Sequence, residues 1–266
     1  MIEIAPPRQL DRYASSLKMA NDTFLNRFTG FLGAQVGAEA IDLLDLTKEQ
    51  AAADHADYFL QARHIVVEIK SLQTDTAPKM QPILAPHMDR PEFQEVSSTG
   101  LDPVLETIPD GDEIRETLYR AITESVEGAV EKANRQIRET KRTFDIPDAY
   151  GLLIILNDAV WILPPTTVAK RVAQCFTKRT RAGEPRFVEI NAAWLLNERH
   201  LTNVAGRKAV MDLILQNSQN NRGKYTSAVA SLLSEQWAAF NGKQFARGPD
   251  ELIKHVRFRA RPKADA

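Results

Sequence analysis

Two carboxylates and an amine occur at a spacing that could bring them together. Asp57 directly precedes the apolar run 58–60, and Glu68 and Lys70 lie within a second apolar run, residues 64–72. Both runs are rich in β-branched and aromatic residues, and the short break between them is typical of a hairpin. In that hairpin Asp57 lies at the start of one strand, while Glu68 and Lys70 share a face of the next. The spacing therefore predicts a cluster at the end of a sheet.

Such a cluster destabilises the folded protein unless its charges are compensated. An ionised group without a partner on a half-buried face loses at least about a few kcal/mol of hydration free energy. A divalent cation between Asp57 and Glu68 would offset that cost, and hard oxygen ligands favour Mg²⁺ or Mn²⁺, which activate water and stabilise phosphoryl oxygens. Lys70 would then orient the water or neutralise developing charge. The alternative is a cross-strand salt bridge on an exposed face, worth under about 1 kcal/mol.

The elements that must position these residues can be predicted from periodicity. In the second strand, residues 65, 67 and 69 fall on one face and residues 66, 68 and 70 on the other. Apolar spacing of three and four predicts one long helix over residues 22–46 and another over residues 112–142. The continuous apolar run 151–157 predicts a strand that is buried on both faces. Six of the chain's fourteen prolines fall within residues 73–112, where regular structure must be short.

The remainder of the chain is predicted to be mainly helical. Helices are expected near residues 167–177, 204–217 and 225–240, with a short strand over residues 187–190. The order of elements predicts a mixed α/β domain with a helical C-terminal extension.

Composition limits the function classes. The 266 residues are 43% hydrophobic, which is enough for a substantial core. No apolar run approaches the roughly 18–20 residues of a membrane helix. The single cysteine, Cys175, excludes an internal disulfide and a cysteine zinc site. With no secretory signal pattern either, we expect a cytoplasmic protein that makes no membrane contact.

The net charge of −1 results from an acidic part and a basic part of the chain whose charges nearly cancel. Residues 1–165 carry 16 Lys and Arg against 27 Asp and Glu, whereas residues 166–266 carry 18 against 8. A basic C-terminal part suggests an anionic partner. The alternative is that the opposite charges pair within the fold.

The order of these features resembles the PD-(D/E)XK nuclease superfamily. The resemblance spans roughly residues 22–163 and rests on Asp57, the strand bearing Glu68-Ile69-Lys70, the following long helix and the buried strand; Ala56 stands where the family name has proline. It implies a restriction-endonuclease-like αβββαβ core, with a mixed central sheet flanked by helices, and Mg²⁺- or Mn²⁺-dependent phosphodiester hydrolysis.

The resemblance also implies roles for individual residues. Asp57 and Glu68 would be metal ligands and Lys70 the catalytic lysine. Glu39 would be the acid of the first helix, although Asp42 lies one turn later and could take its place. Gln136, on the helix over residues 112–142, is similar to the polar residue that this helix often contributes, and its alternative role is on a solvated face. The third strand of the core must lie near residues 49–56 or within the proline-rich segment.

The sequence thus predicts a nuclease-like core over residues 1–165, with the proline-rich insertion 73–112, followed by a basic and mainly helical region over residues 166–266. Cations suited to phosphate contacts cluster early in that region, with DNA favoured over RNA as the partner. They are Lys170, Arg171, Lys178, Arg179 and Arg181. The predicted function is a metal-dependent DNA nuclease of bacterial defence or DNA repair. The alternative is a catalytically inactive module that binds nucleic acid or protein, and both a homodimer and a partner protein remain open.

Overall fold

A computed structural model describes residues 23–95, 101–158, 160, 162–198, 200–204 and 207–246. The helices are α1 Phe24–Gly33, α2 Lys48–Ala52, α3 Gln81–Leu84, α4 Leu101–Thr107, α5 Gly111–Thr143, α6 Pro165–Thr177 and α7 Gly223–Phe240. The strands are β1 Glu39–Ala40, β2 Tyr58–Leu60, β3 Ile65–Leu72, β4 Tyr150–Asn157, β5 Ala192–Asn197, β6 Leu201–Val204, β7 Arg207–Val210 and β8 Leu213–Gln216. The chain is therefore an α/β protein, as predicted.

The main sheet is mixed, with the strand order β1-β2-β3-β4-β5-β8. Its central strands β3, β4 and β5 are parallel, whereas β1, β2 and β8 pair antiparallel at the two sides. The strands β6 and β7 form a separate antiparallel hairpin. Parallel strands need a crossover, and α5 and α6 lie along the chain between β3 and β4 and between β4 and β5.

Helices cover both faces of the sheet. α5 and α6 pack on one face in a core that includes Val66 and Leu153, and α1 and α7 pack on the other in a core that includes Val67 and Trp194. This arrangement explains the continuous apolar sequence of β4, whose residues after Tyr150 are all buried. The predicted strand over residues 151–157 is confirmed.

The predicted hairpin is confirmed as β2 and β3. Ile65, Val67 and Ile69 face the α1 and α7 layer, while Val66 faces α5, so the period-2 assignment of β3 holds. The turn between the strands is unusual, because three successive non-glycine residues have positive φ: Gln61 at 52°, Ala62 at 51° and Arg63 at 68°. Side chains disfavour this left-handed region, so neighbouring contacts must hold the turn.

The helix predicted over residues 112–142 is confirmed as α5, which has 33 residues. Asp112 and Glu113 lie in its first turn and Lys141 and Arg142 in its last, where each charge complements the helix dipole. The apolar stripe of α5 packs on the sheet, and this contact fixes which of its polar residues can reach β3.

The single long helix predicted over residues 22–46 is wrong. α1 ends at Gly33, and the chain turns at Gly37, whose φ is +71°, a conformation that favours glycine. The chain then forms β1 and a 3₁₀ turn over Ile41–Leu43. β1 pairs with β2, so a strand does adjoin the hairpin, but it lies neither near residues 49–56 nor within the proline-rich segment, where a third strand was predicted.

The predictions for the C-terminal part are partly wrong. Helices near 167–177 and 225–240 are confirmed as α6 and α7, but residues 187–190 form no strand and residues 204–217 contain strands where a helix was predicted. In β8, Leu213 and Leu215 pack towards one core and Ile214 towards the other, which is the period of a strand. At residues 187–190, the Asn217 amide binds the carbonyl oxygens of Phe187 and Ile190 in place of a strand neighbour.

These strands change the predicted organisation. β5 and β8 belong to the same sheet as β3 and β4, so these two strands of the C-terminal part complete the sheet, and the part is not a purely helical extension. The acidic and basic parts of the chain meet at residue 165, but strands from both parts belong to the same sheet.

Among its described residues before α5, 73–95 and 101–110, the proline-rich segment contains only short helical pieces, as predicted. Phe93, Val104, Leu105 and Ile108 from this segment pack with the start of α5 in a small core of their own. Within the described ranges, none of the helices combines the length and the apolar composition that crossing a bilayer requires.

Candidate functional site

The β2–β3 hairpin brings Asp57 beside Glu68, as the sequence predicts. The Asp57 amide donates to the carbonyl oxygen of Val67 (3.1 Å), which extends the ladder by one residue. The Ile69 amide donates to Asp57 Oδ2 (2.6 Å), so the carboxylate is fixed across the hairpin. The backbone therefore orients Asp57 before any ligand is present.

Glu68 is the most buried charged residue of the cluster, with 1% of its surface exposed. Its Oε1 accepts a hydrogen bond from the Lys70 ammonium. Its Oε2 is buried and has no hydrogen-bond partner among the described residues. A buried carboxylate oxygen without a partner costs free energy and needs an explanation.

Burial raises the pKa of both carboxyl groups. Burial, and secondarily the neighbouring Asp57 charge, raises the pKa of Glu68 to about 8, while Lys70 opposes the shift. For Asp57, the Ile69 amide, Lys70 and the neighbouring Glu68 carboxyl group oppose the shift that burial causes. Both carboxyl groups thus lie where a further positive charge would be most favourable.

Gln136 completes the cluster from the α5 side. Its Oε1 accepts from Lys70 Nζ (2.6 Å), and its Nε2 donates to the carbonyl oxygen of His55 (3.0 Å). One turn later, Thr140 Oγ1 accepts from the Ala56 amide (2.7 Å) and donates to the Gln136 carbonyl (2.8 Å). Two residues of α5 thereby hold Lys70 and the segment that leads into Asp57.

The structure does not place Glu39 in the cluster. Because α1 ends early, Glu39 lies on β1 opposite Phe59, and its carboxylate binds Arg63 Nη2 at 2.7 Å. The Arg63 guanidinium also lies over the Phe59 ring, 5.1 Å from its centroid. Glu39 thus supports the hairpin turn, and the predicted catalytic role on a first helix is wrong in its placement.

Asp42, the alternative considered for that role, lies closer to the cluster. Its charge contributes to the raised pKa of Asp57. Its Oδ1 lies 3.6 Å from His55 Nε2, and its side chain is 80% exposed. The β1 segment therefore brings Asp42, and not Glu39, within electrostatic range of Asp57.

The five cations predicted to contact nucleic acid lie on α6 and just after it, and several are engaged within the fold. Arg171 and Lys178 both pair with Glu127 of α5. Lys170 lies 4.7 Å from the centroid of the Tyr119 ring. Arg179 donates to the Gly183 carbonyl (2.7 Å), while Arg181 is exposed. Part of the charge segregation is therefore internal pairing between the acidic and the basic parts.

A feature that sequence reasoning missed lies beside Lys70. An open groove of about 200 Å³ runs between α5 and the end of β3. Its lining residues are Lys70, Ser71, Leu72, Gln73, Thr74, Ser125, Gly128, Ala129 and Lys132. Lys132, one turn before Gln136, is the residue that the helical spacing could have indicated.

The donor set for a cation is small. Across the described ranges there is no group of three or more His, Cys, Asp and Glu side chains that could hold a metal ion. Asp57 and Glu68 supply two carboxylates, including the oxygen of Glu68 that lacks a partner. Hard cations often bind through one or two protein carboxylates and complete their coordination with water and substrate oxygens.

Comparison with known proteins adds no relative: no family model, no curated protein and no solved structure matches this chain.

Proposed function

We propose that the protein is a divalent-metal-dependent nuclease that hydrolyses DNA phosphodiester bonds. The observation that carries the proposal is the buried Glu68 carboxylate, which lies beside Asp57 and Lys70 and keeps one oxygen without a partner. A buried carboxylate oxygen without a hydrogen-bond donor is destabilising, and a bound cation would offset that cost.

The residues present fit a hard cation. Asp57 and Glu68 would hold Mg²⁺ or Mn²⁺, because ionised carboxylate oxygens are the ligands that these ions prefer. When bound, the ion would lower the pKa of a water molecule and polarise a phosphoryl oxygen. Its charge would also favour the ionised form of both carboxyl groups, whose pKa values burial raises.

The chain's own residues supply the rest of the chemistry. The Lys70 ammonium, held between Glu68 and Gln136, presents a positive charge for a phosphoryl oxygen whose charge increases in the transition state. The Ile69 amide keeps Asp57 in one orientation, so little reorganisation is needed when substrate arrives. Gln136 acts as a positioning residue through Lys70.

The order of elements supports the resemblance to PD-(D/E)XK nucleases. Helix α1, the strands β1, β2 and β3, helix α5 and strand β4 follow one another as helix, three strands, helix and strand, apart from short helical pieces. A restriction-endonuclease-like αβββαβ core is the finer fold that we propose. Within it, bacterial defence or DNA repair would be the setting.

The experiment compares cleavage of plasmid DNA by matched variants. Wild-type protein should cut only when Mg²⁺ or Mn²⁺ is added, and Asp57→Asn, Glu68→Gln and Lys70→Met should each lose most of that activity. Lys141→Met is the control, because Lys141 is also a buried lysine of this face that pairs with a glutamate, Glu189. Metal-dependent cutting that survives in all three variants, or a wild type that never cuts, contradicts the proposal.

One observation favours the inactive-module alternative. Lys70 already neutralises part of the Glu68 charge, so the cluster has a partial ion pair without a metal. That alternative predicts that the wild type binds DNA without cutting it, and that Glu68→Gln binds equally well. The same set of proteins therefore separates the two functions.

A further inference from the structure

We propose that the groove between α5 and the end of β3 holds the sugar–phosphate backbone of the DNA strand next to the bond that is cut, with Lys132 binding one of its phosphates. This inference rests on the proposed nuclease function and names the surface that receives its substrate. The groove is continuous with the candidate active site, because Lys70 lines it and also contacts Glu68.

The size of the groove favours a segment of a polymer as its ligand. Its volume of about 200 Å³ is below the roughly 300–1,000 Å³ that is usual for small-molecule sites. It is also partly open to solvent and does not form an enclosed cavity. A chain that passes through and continues on both sides suits this shape better than a whole small molecule does.

The helix forms one wall by presenting small side chains on a single face. Gly128 and Ala129 follow Ser125 by three and four residues, and Lys132 follows them by four and three, so the four residues lie on one stripe of α5. Gln136 follows Lys132 one turn later. A Cβ atom built on Gly128 would meet nothing within 4 Å. The missing side chain leaves the groove open there, and the stripe leads directly to the residue that holds Lys70.

The other wall carries polar groups that suit phosphate oxygens. Ser71, Gln73 and Thr74 follow Lys70 at the end of β3, and each has a hydroxyl or amide hydrogen to donate. Such donors commonly bind phosphate oxygens, and contacts to the phosphate backbone carry no sequence information. The groove therefore suits a strand of any sequence.

The charge of the groove is positive. Lys70 and Lys132 line it, and no carboxylate does. Lys132 makes no ion pair within 4 Å among the described residues, and its charge acts on Glu68. The nearby Glu124 is already paired with Lys79, at 2.6 Å. An anionic backbone would therefore find an available cation one helical turn from Gln136.

Two variants and a matched control test the groove. Lys132→Ala removes the cation, and Gly128→Leu fills the opening while it replaces a poor helix former with a good one, so folding is preserved. Arg120→Ala is the control, because Arg120 is an exposed cation of the same helix that does not line the groove. The probe is a fluorescein-labelled DNA duplex, followed by anisotropy without metal over a range of salt concentrations.

We expect Lys132→Ala to raise the Kd about 5- to 10-fold at about 0.1 M salt and to reduce the salt slope by about one, while Arg120→Ala binds as the wild type does. Gly128→Leu should weaken DNA binding to a similar extent, with an unchanged salt slope.

In cleavage assays both variants should raise KM and leave kcat unchanged. If the wild type binds and cuts DNA and both variants match it, the groove proposal is overturned alone. If the wild type neither binds nor cuts DNA, both proposals fall.

Discussion

Lys70 Nζ and Gln136 Oε1 lie 2.6 Å apart although 66 residues separate them in the chain. The contact joins β3 to α5 at the point where Glu68 is buried. It fixes the Lys70 ammonium relative to both carboxylates, so the catalytic role proposed for Lys70 depends on a residue from another element.

Replacing Gln136 by Ala should slow cleavage without abolishing it. The variant removes a hydrogen bond to a charged group, worth about 1.5–3 kcal/mol, and we expect kcat to fall about 10- to 100-fold. KM should change little, because Gln136 acts through Lys70. Single-turnover kinetics at saturating Mg²⁺ measure this effect. An unchanged kcat would show that Lys70 holds its position unaided.

Replacing Glu68 by Gln should change how stability depends on pH. The folded pKa of Glu68 is raised to about 8 from an ordinary value of 4.5. The folded state therefore keeps a proton that the unfolded state releases, and wild-type stability falls as pH rises between these two values. Glu68→Gln has no such titration. Its free energy of unfolding should therefore exceed that of the wild type by about a few kcal/mol near pH 8 and by much less near pH 4.5.

Urea unfolding of both proteins in metal-free buffer across that pH range provides the measurement. Glu189→Gln is the control, because Glu189 also pairs with a lysine but is partly exposed. Parallel pH profiles for wild type and Glu68→Gln would mean that Glu68 stays ionised in the folded protein.

Replacing Glu39 by Gln should leave the cleavage rate unchanged. Glu39 contacts Arg63 and no residue of the cluster, and its exposed ion pair is worth less than about 1 kcal/mol. Asp42→Asn provides the contrast. Because the Asp42 charge raises the pKa of Asp57, its removal should move the acid limb of the activity profile to lower pH. Loss of activity in Glu39→Gln equal to that in Asp57→Asn would contradict this assignment.

Replacing Thr140 by Val should destabilise the segment that leads into Asp57. The variant keeps the shape of the side chain but leaves the buried Ala56 amide without an acceptor, at a cost of about 1–3 kcal/mol. Thr123→Val is the matched control, since Thr123 is equally buried and its hydroxyl bonds only the Tyr119 carbonyl of its own helix. Urea midpoints compare the two, and equal losses would mean that the Ala56 contact contributes nothing.

Local patterns predicted the centre of the candidate site well. Asp57, Glu68 and Lys70 lie on one hairpin, so strand period and turn length were sufficient to place them together. Gln136 was indicated by the resemblance to the nuclease superfamily, because the helical period of α5 alone was equally compatible with a solvated face. The relationships within the hairpin depend on geometry between residues close in sequence, which the periodicity of the sequence indicates.

Longer-range relationships were harder to predict. Glu39 was expected on a helix, because the apolar spacing continues past Gly33 and Gly37, and the pairing of β1 with β2 cannot be read from that spacing. β8 was expected to be helical because a four-residue apolar run has no clear period, and its pairing with β5 decides its structure. The position of Lys132 beside Lys70 could not be predicted from local patterns, because the groove that both residues line is formed by two separate elements.

The left-handed turn at Gln61, Ala62 and Arg63 has a consequence for which mutations would inactivate the protein. A slip of one residue between β2 and β3 would move Glu68 and Lys70 to the face covered by α1 and α7, out of reach of Gln136. A change in this turn would thus separate Glu68 and Lys70 from Gln136 and remove the proposed nuclease activity, although every residue of the candidate site would still be present in the sequence. The length of this turn is therefore as strong a requirement of the proposed function as the identity of Asp57, Glu68 and Lys70.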